Sequence, residues 1–461
     1  MKLVSLIEKA FRALIPSPFT IAVLLTVLTF FLAFFLTESE LSSGERMFEL
    51  LGFWEAGLWN QPLMVFAMQM MLMLVLGHTL ALTKPVDKLI SGATQYCTNT
   101  ARAAFVVTLL TVIVALFNWG LGLIFGAILA RKVGDFAAEK RLDINYPLIG
   151  AAGYSGLMVW HGGISGSAPI KVAESGHLKG LMEGIVTEEQ LSALPDMYGF
   201  NETVFGGMNI FVILALLVVL PAFMYFLGRR LQPTTIAEKQ LVQESGSNEI
   251  QGAERLDHSA ILGLGIGALI IVYLVYRVVV NFDETGLGFI TPNFLNLLLL
   301  GLSLVFHRTI HNFLSAISEA IGGASGILIQ FPLYFGIMGI MSSSGLVQIF
   351  SDFFVSISDQ VTFPIYTFFS AGIVNVFVPS GGGQWGVQGP IIMKSALELG
   401  VSPQKAIMAL AYGDQLTNML QPFWALPLLG ITGLKARSIL PYTVALMGVG
   451  TVIYLIALLI F

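Results

Sequence analysis

Charge is what this 461-residue sequence has least of: Asp, Glu, Lys and Arg make up 11% of it, against 56% apolar residues and a mean hydropathy of +0.81. A soluble domain carries roughly a quarter charged residues, so a water-soluble surface is excluded. Cysteine is nearly absent. The single Cys97 rules out an internal disulfide, and no Cys/His cluster has metal-ligand spacing, so no structural zinc is expected. There is no basic stripe either; the net charge is -5 and the Lys and Arg residues lie in short loops, which excludes nucleic acid as a partner. The N-terminus (Lys2, Lys9, Arg12, then an apolar run from Phe19) has no small-residue cleavage site before Glu38 and reads as an uncleaved first span.

What is present is a series of separated apolar runs of about 20 residues, the length that crosses a ~30 Å hydrocarbon core. Uninterrupted spans are expected at 18–37, 62–82, 206–227, 259–280, 291–306, 324–343 and 438–461. Four further stretches, 102–131, 146–170, 363–397 and 404–430, are broken by polar or Gly/Pro clusters. In lipid a helix can be interrupted only where protein or a watery cavity receives the freed backbone groups, so function is expected there. The stretch 102–131 has basic residues at both ends (Arg102; Arg131, Lys132, Lys140, Arg141), and the preference for Lys and Arg inside makes it a hairpin entering from the cytoplasm. Arms of about 15 residues would be too short to cross. The stretch 363–397, turning at Pro379-Ser380-Gly381-Gly382-Gly383, has no such basic flanks and reads as a hairpin entering from outside. Alternation then puts most of the 23 lysines and arginines inside and leaves 38–60 and 171–205 as acidic outer segments.

Span, span, hairpin, broken helix, span thus occurs twice, the second time upside down. The expectation is an all-α polytopic membrane protein of about nine transmembrane helices plus two re-entrant hairpins in an inverted repeat: 1–227, a cytoplasmic linker and connecting helix 228–290, and 291–461. Interrupted helices in corresponding positions of inverted repeats point to a midplane transport site.

The tips, Asn118-Trp119-Gly120 and Asn375 followed by Ser380-Gly381-Gly382, each put an Asn beside a Gly-rich turn. Free amides at the start of each second arm, at the positive end of a helix dipole, suit an anion; the plainer alternative is that the glycines only allow close helix packing. Asn118 and Asn375 are expected to face one site across the pseudo-two-fold, with Ser165, Ser167, Ser380, Thr417 and Asn418 completing a polar shell and Trp119, Trp385 or Phe423 bordering an alkyl tail. Asp414 is the one Asp or Glu deep within a span. It is expected to handle a coupling cation, either by taking a proton or by coordinating Na+. His161 is read as either a structural or a proton-carrying residue. Gly163-Ile164-Ser165-Gly166 matches the GxSG of intramembrane serine proteases, a weak four-letter pattern whose His base is lacking on a separate helix.

The segments FNWGLGLIFGAILAR (117–131), NVFVPSGGGQWGVQGP (375–390) and AYGDQLTNMLQPFWALP (411–427) strongly resemble the short-chain fatty acid transporter family, the AtoE-like carriers of bacteria. The resemblance runs along nearly the whole chain. It implies a multi-pass inner-membrane carrier of short-chain fatty acids such as acetoacetate or butyrate, surrounded by lipid, with no cofactor beyond a coupling H+ or Na+. A carrier of another small organic anion, such as a dicarboxylate, is the alternative. More distantly the architecture resembles the superfamily of dicarboxylate/sodium symporters, which implies a homodimer by analogy. The Ser-Asn-Thr tip motif of those proteins is absent; Asn118-Trp119-Gly120 and Ser380-Gly381-Gly382 stand in its places. With no Lys or Arg at either tip, a bound carboxylate has to rely on amides and hydroxyls, which suits one small monoanion.

Overall fold

The computed structural model describes residues 16–183, 186–234, 252–285 and 291–461, and its described residues are helical throughout, with no strand. The basic residues Lys2, Lys9 and Arg12, and most of the linker 228–258, lie outside the described residues. In chain order the first half holds α1 (Pro18–Leu36), α2 (Ser43–Leu58), α3 (Gln61–Ala81), α4 (Lys84–Thr94), α5 (Thr100–Phe117), α6 (Trp119–Glu139), α7 (Tyr146–Tyr154), α8 (Ser167–Ala173) and α9 (Gly207–Gly228). Helix α10 (Ala260–Thr285) connects to α11 (Pro292–His307), α12 (Ile310–Ala320), α13 (Ser325–Ser343), α14 (Leu346–Ser356), α15 (Phe363–Phe377), α16 (Gly381–Leu399), α17 (Pro403–Thr417), α18 (Pro422–Thr432) and α19 (Ala436–Ile460). Two further short helices, His177–Met182 and Glu188–Ala193, lie between α8 and α9.

Among the described residues, seven helices are long and apolar enough to cross a membrane. Two expectations change places among them. Pro292–His307, expected as a full span, is a shorter apolar helix of 16 residues, whereas Thr100–Phe117, expected as a short hairpin arm, is one of the seven. The arms of the first hairpin have 18 and 21 residues, about 27 and 32 Å at 1.5 Å per residue. They are longer than expected because Arg102 and Arg131 do not end them: Asn99 caps α5 ahead of Arg102, and α6 runs on to Glu139. The fold-back is nonetheless abrupt. One extended residue, Asn118, separates the arms, and a Cβ on Gly122 would lie 2.5 Å from the Ala115 backbone.

The acidic segment 38–60 is mostly helix, Ser43–Leu58, rather than a loop. Ser42 and Glu45 form a capping box at the start of α2, and Gly57 meets Gly336 and Gly339 of α13 with the two backbones nearly touching. Both hairpins pack on broken helices of their own half and of the other: α5 and α6 on α7, α15 and α16 on α17, and then α6 on α18 and α16 on α8. The halves therefore share one core instead of forming two separate bodies. Trp385 turns away from the centre; its indole N–H donates to His177 Nε2 at 3.2 Å, and burial, with Lys171 nearby, holds His177 below the usual histidine range.

Candidate functional site

The two broken helices come apart where expected. The first passes from α7 through tight turns at Ser155–Met158 and Trp160–Gly162 before α8; the second unwinds at Asn418–Leu420 between α17 and α18. Freed backbone groups inside an apolar bundle need partners, and neighbouring side chains supply them. Gln415 Oε1 accepts the N–H groups of His161 (2.8 Å) and Gly162 (3.2 Å), while Asn209 Nδ2 donates to the carbonyl of Gly162 at 2.8 Å. The Tyr154 hydroxyl, with its single proton, lies between the carbonyls of Asn418 (2.8 Å) and Gln421 (3.1 Å), so each break is braced from the other half.

At the crossing of the breaks, His161 Nδ1 is hydrogen-bonded to Asp414 Oδ2, and both side chains are buried. Asp414 is the one buried carboxylate among the described residues. The Ala168 N–H donates to His161 Nε2 at 3.0 Å, which assigns the ring a neutral tautomer with its proton on Nδ1, toward the carboxylate. The second hairpin tip closes onto this pair. A Cβ on Gly381 would lie 2.7 Å from the Trp160 ring, 2.9 Å from His161 Cε1 and 3.3 Å from Asp414 Oδ2, so only glycine fits there. Ser380 caps α16 by accepting from the Gly383 N–H at 3.2 Å, leaving the Gly381 and Gly382 amides in the first turn without an intrahelical acceptor.

Asn375 is fully buried, and its Nδ2 lies 2.7 Å from the Asp414 carbonyl, 2.9 Å from Thr417 Oγ1 and 2.9 Å from Asn418 Oδ1. Ser167 stands 4.0 Å from where a Cβ on Gly382 would be. Asp414, Asn375, Ser380, Gly381, Gly382, Thr417, Asn418 and Ser167 therefore gather around one centre. The remaining three expected residues form a separate cluster. Asn118 Oδ1 caps α6 from the Leu121 N–H at 2.9 Å, Ser165 Oγ accepts the Trp119 N–H at 2.9 Å, and Gly120 faces Met73. The expected equivalence of Asn118 and Asn375 shifts: by capping role Asn118 corresponds to Ser380, because the first tip breaks over one residue and the second over Val378–Ser380. Both His161 ring nitrogens are committed elsewhere, so Ser165 has no histidine base.

Sequence reasoning passed over Asn209 and Tyr454, and it placed Tyr154, Gln415 and Gln421 in the broken segments without giving them a role. Asn209 carried a usable signal, being an amide in an otherwise apolar helix, and Gln415 stands directly beside Asp414. A ring cluster joins the two groups of residues: Trp160 stacks on His161 at 4.4 Å, Trp119 lies 6.0 Å from Trp160 and 5.4 Å from Trp424, and Phe66 lies 6.1 Å from both Trp119 and Trp424.

The whole chain, residues 1–461, matches the family described as short chain fatty acid transporter. The chain belongs to that family. Relatives provisionally named short-chain fatty acid transporters occur in Escherichia coli (strain K12), 38% identical over 457 residues covering 97% of this chain and 96% of the relative, and in Haemophilus influenzae (strain ATCC 51907 / DSM 11121 / KW20 / Rd), 35% identical over 434 residues covering 93% and 92%. Among solved structures, the Alcanivorax borkumensis YdaH transporter and Neisseria gonorrhoeae MtrF each align at a TM-score of 0.40 and 15% identity. These alignments cover 95% of this chain and 97% of YdaH, and 98% of this chain and 96% of MtrF. As a member of the short chain fatty acid transporter family, the protein is a multi-pass inner-membrane transporter and not an enzyme.

The centre described above is braced mainly through Asn375. Asn375→Ala would strand the Asn418 amide oxygen and leave the Asp414 carbonyl only a long bond from Thr417 Oγ1 at 3.5 Å, at about 1–3 kcal/mol for a buried group left unpaired. Asn118→Ala would remove one helix cap, about 1 kcal/mol. Thermal unfolding of the detergent-solubilised protein is expected to show the larger loss for Asn375→Ala; equal losses would mean that Asn375 is no brace.

Proposed function

We propose that this family member carries short monocarboxylate anions by secondary active transport, with the His161–Asp414 pair handling a coupling proton. The observation that carries the reading is that pair, buried at the crossing of the two broken helices beneath the second hairpin tip. A substrate anion held at the Gly381 and Gly382 amides would share a dehydrated site with the Asp414 carboxylate. Two carboxylates that close cannot both stay ionised. Anion entry therefore draws a proton onto the pair, and the two are carried together.

The hydrogen bonds suggest how protonation reaches the backbone. A proton added at Nε2 would face the Ala168 N–H, donor against donor, and free the first turn of α8. The titratable groups around the pair are Tyr412, bonded to Asn209; Tyr454, linked through Gln415; and Tyr154 at the second break. Coupling to Na+ has less behind it, since the oxygens of Asp414, Thr417 and Asn418 that could ligate a cation already surround Asn375 Nδ2. Uptake of labelled butyrate into proteoliposomes with separately imposed gradients tests both points. Accumulation is expected with an inward proton gradient alone; accumulation that needs a sodium gradient would sink the proton reading.

The same reading takes 1–227 and 291–461 as inverted repeats joined by 228–290, with the hairpin tips approaching from opposite sides. Cysteines at Ala138 and Glu398, both exposed, are expected to react with impermeant thiol reagents from opposite faces of the membrane. Gly400 is unsuitable, because its φ of +68° strains any other residue. Burial pushes the Cys97 thiol up to about 12, so the native thiol adds little background. Labelling of both positions from one face would refute the inversion.

A further inference from the structure

We infer that the Trp160 indole N–H receives the substrate carboxylate, with the alkyl chain laid among the rings of Trp119, Trp424 and Phe66. The assignment rests on the carrier reading and deepens it, because it selects monocarboxylates over dicarboxylates.

Trp160 is 4% exposed, and its Nε1 has no hydrogen-bond partner among the described residues. An indole N–H is a donor only, and a buried donor without an acceptor is costly unless something else supplies one. Its surroundings indicate what. The ring stacks on His161, whose own two nitrogens are occupied by Asp414 and the Ala168 N–H, and it touches the hairpin tip at Gly381. The ring that carries the unfilled donor thus stacks on the proton-handling pair, and its Cη2 edge meets the hairpin tip at Gly381. Trp54 Nε1 also lacks a partner, but it is pressed against Gly336, where a Cβ would come within 2.5 Å and no ligand atom fits.

Asn418 Nδ2, another buried and unpartnered donor, is on the residue whose Oδ1 faces Asn375. A carboxylate has enough acceptor positions for the indole and the tip amides together. On the other side of Trp160 the rings of Trp119, Trp424 and Phe66 offer apolar surface, which suits a few methylenes. A second carboxylate placed there would be desolvated without a partner.

The test uses the full-length protein in phosphatidylcholine nanodiscs with butyrate, n-butanol and glutarate as probes. Trp160→Phe keeps a ring against His161 and removes the donor. Butyrate binding by calorimetry is expected to weaken about ten- to a hundredfold in this variant, and glutarate is expected to bind neither protein. In wild-type protein carrying 15N-indole, the Trp160 N–H signal, assigned by elimination with Phe variants of the other five tryptophans, is expected to move with butyrate and to stay with n-butanol. Unchanged butyrate affinity in monodisperse Trp160→Phe overturns the assignment. So does an indole signal that stays fixed while butyrate saturates the wild type, a result that stands even if the variant fails to fold. If the wild type binds no monocarboxylate, the carrier reading itself falls, and the assignment with it.

Discussion

Asp414→Asn is expected to abolish uphill accumulation of substrate while leaving exchange of internal for external substrate. Asparagine keeps the shape and an oxygen that can accept from His161 Nδ1, so the local geometry survives. It carries no charge, so an entering anion no longer meets a second carboxylate and draws no proton onto the pair. Without protonation the loaded site no longer requires a co-transported proton, and an imposed gradient has nothing to act on. Labelled butyrate in proteoliposomes reads both properties: the accumulation ratio should fall to about one, and counterflow should persist. Gradient-driven accumulation at the wild-type level in this variant would remove Asp414 from coupling.

Gly381→Ala should have the next largest effect. The added methyl would overlap the Trp160 ring and His161, so the second tip could not close in the position it now occupies. Overpacking of this kind costs about 1–3 kcal/mol, which corresponds to roughly a fivefold to hundredfold drop in the closed population and in transport rate. Gly382→Ala is the control. Its methyl would have Ser167 Oγ as its nearest neighbour at 4.0 Å, and alanine suits a helix better than glycine. Initial uptake rates normalised to folded protein separate the two, and equal rates would mean that the tip need not approach the pair.

Asp414 was legible from the sequence as a buried carboxylate because a lone carboxylate in an apolar run is expensive and therefore conspicuous. Its partner was not, since His161 lies 253 residues earlier and nothing in either motif refers to the other. The breaks themselves could be read from Gly/Pro and polar clusters, which is why both broken helices appear where expected. Helix α2 was missed because its glutamates were counted as charge, whereas Ser42 and Glu45 together are a helix-start signal. The Asn118–Asn375 pairing failed on spacing: a tip of one residue and a tip of three throw equivalent positions out of step. Gly120 shows the limit of motif reading most plainly, being adjacent to Asn118 in the chain yet turned to Met73 on α3.

The ring cluster also has a mechanical meaning. Helices α3 and α11 are stitched by directional bonds, from Gln69 to Asn293, Asn296 to the Gln69 carbonyl, and His307 to the Thr79 carbonyl. The broken helices and hairpins are stitched by another set, through Asn375, Tyr154 and Gln415. Where these two bodies meet, Phe66 of α3 and Phe331 of α13 lie against Trp119, Phe423 and Trp424. Ring-on-ring contact is weakly directional, so one arrangement can replace another without a stage at which hydrogen bonds are broken and unpaid. A displacement of one body against the other along this face would meet flat surfaces rather than interlocked teeth, as in a dry bearing.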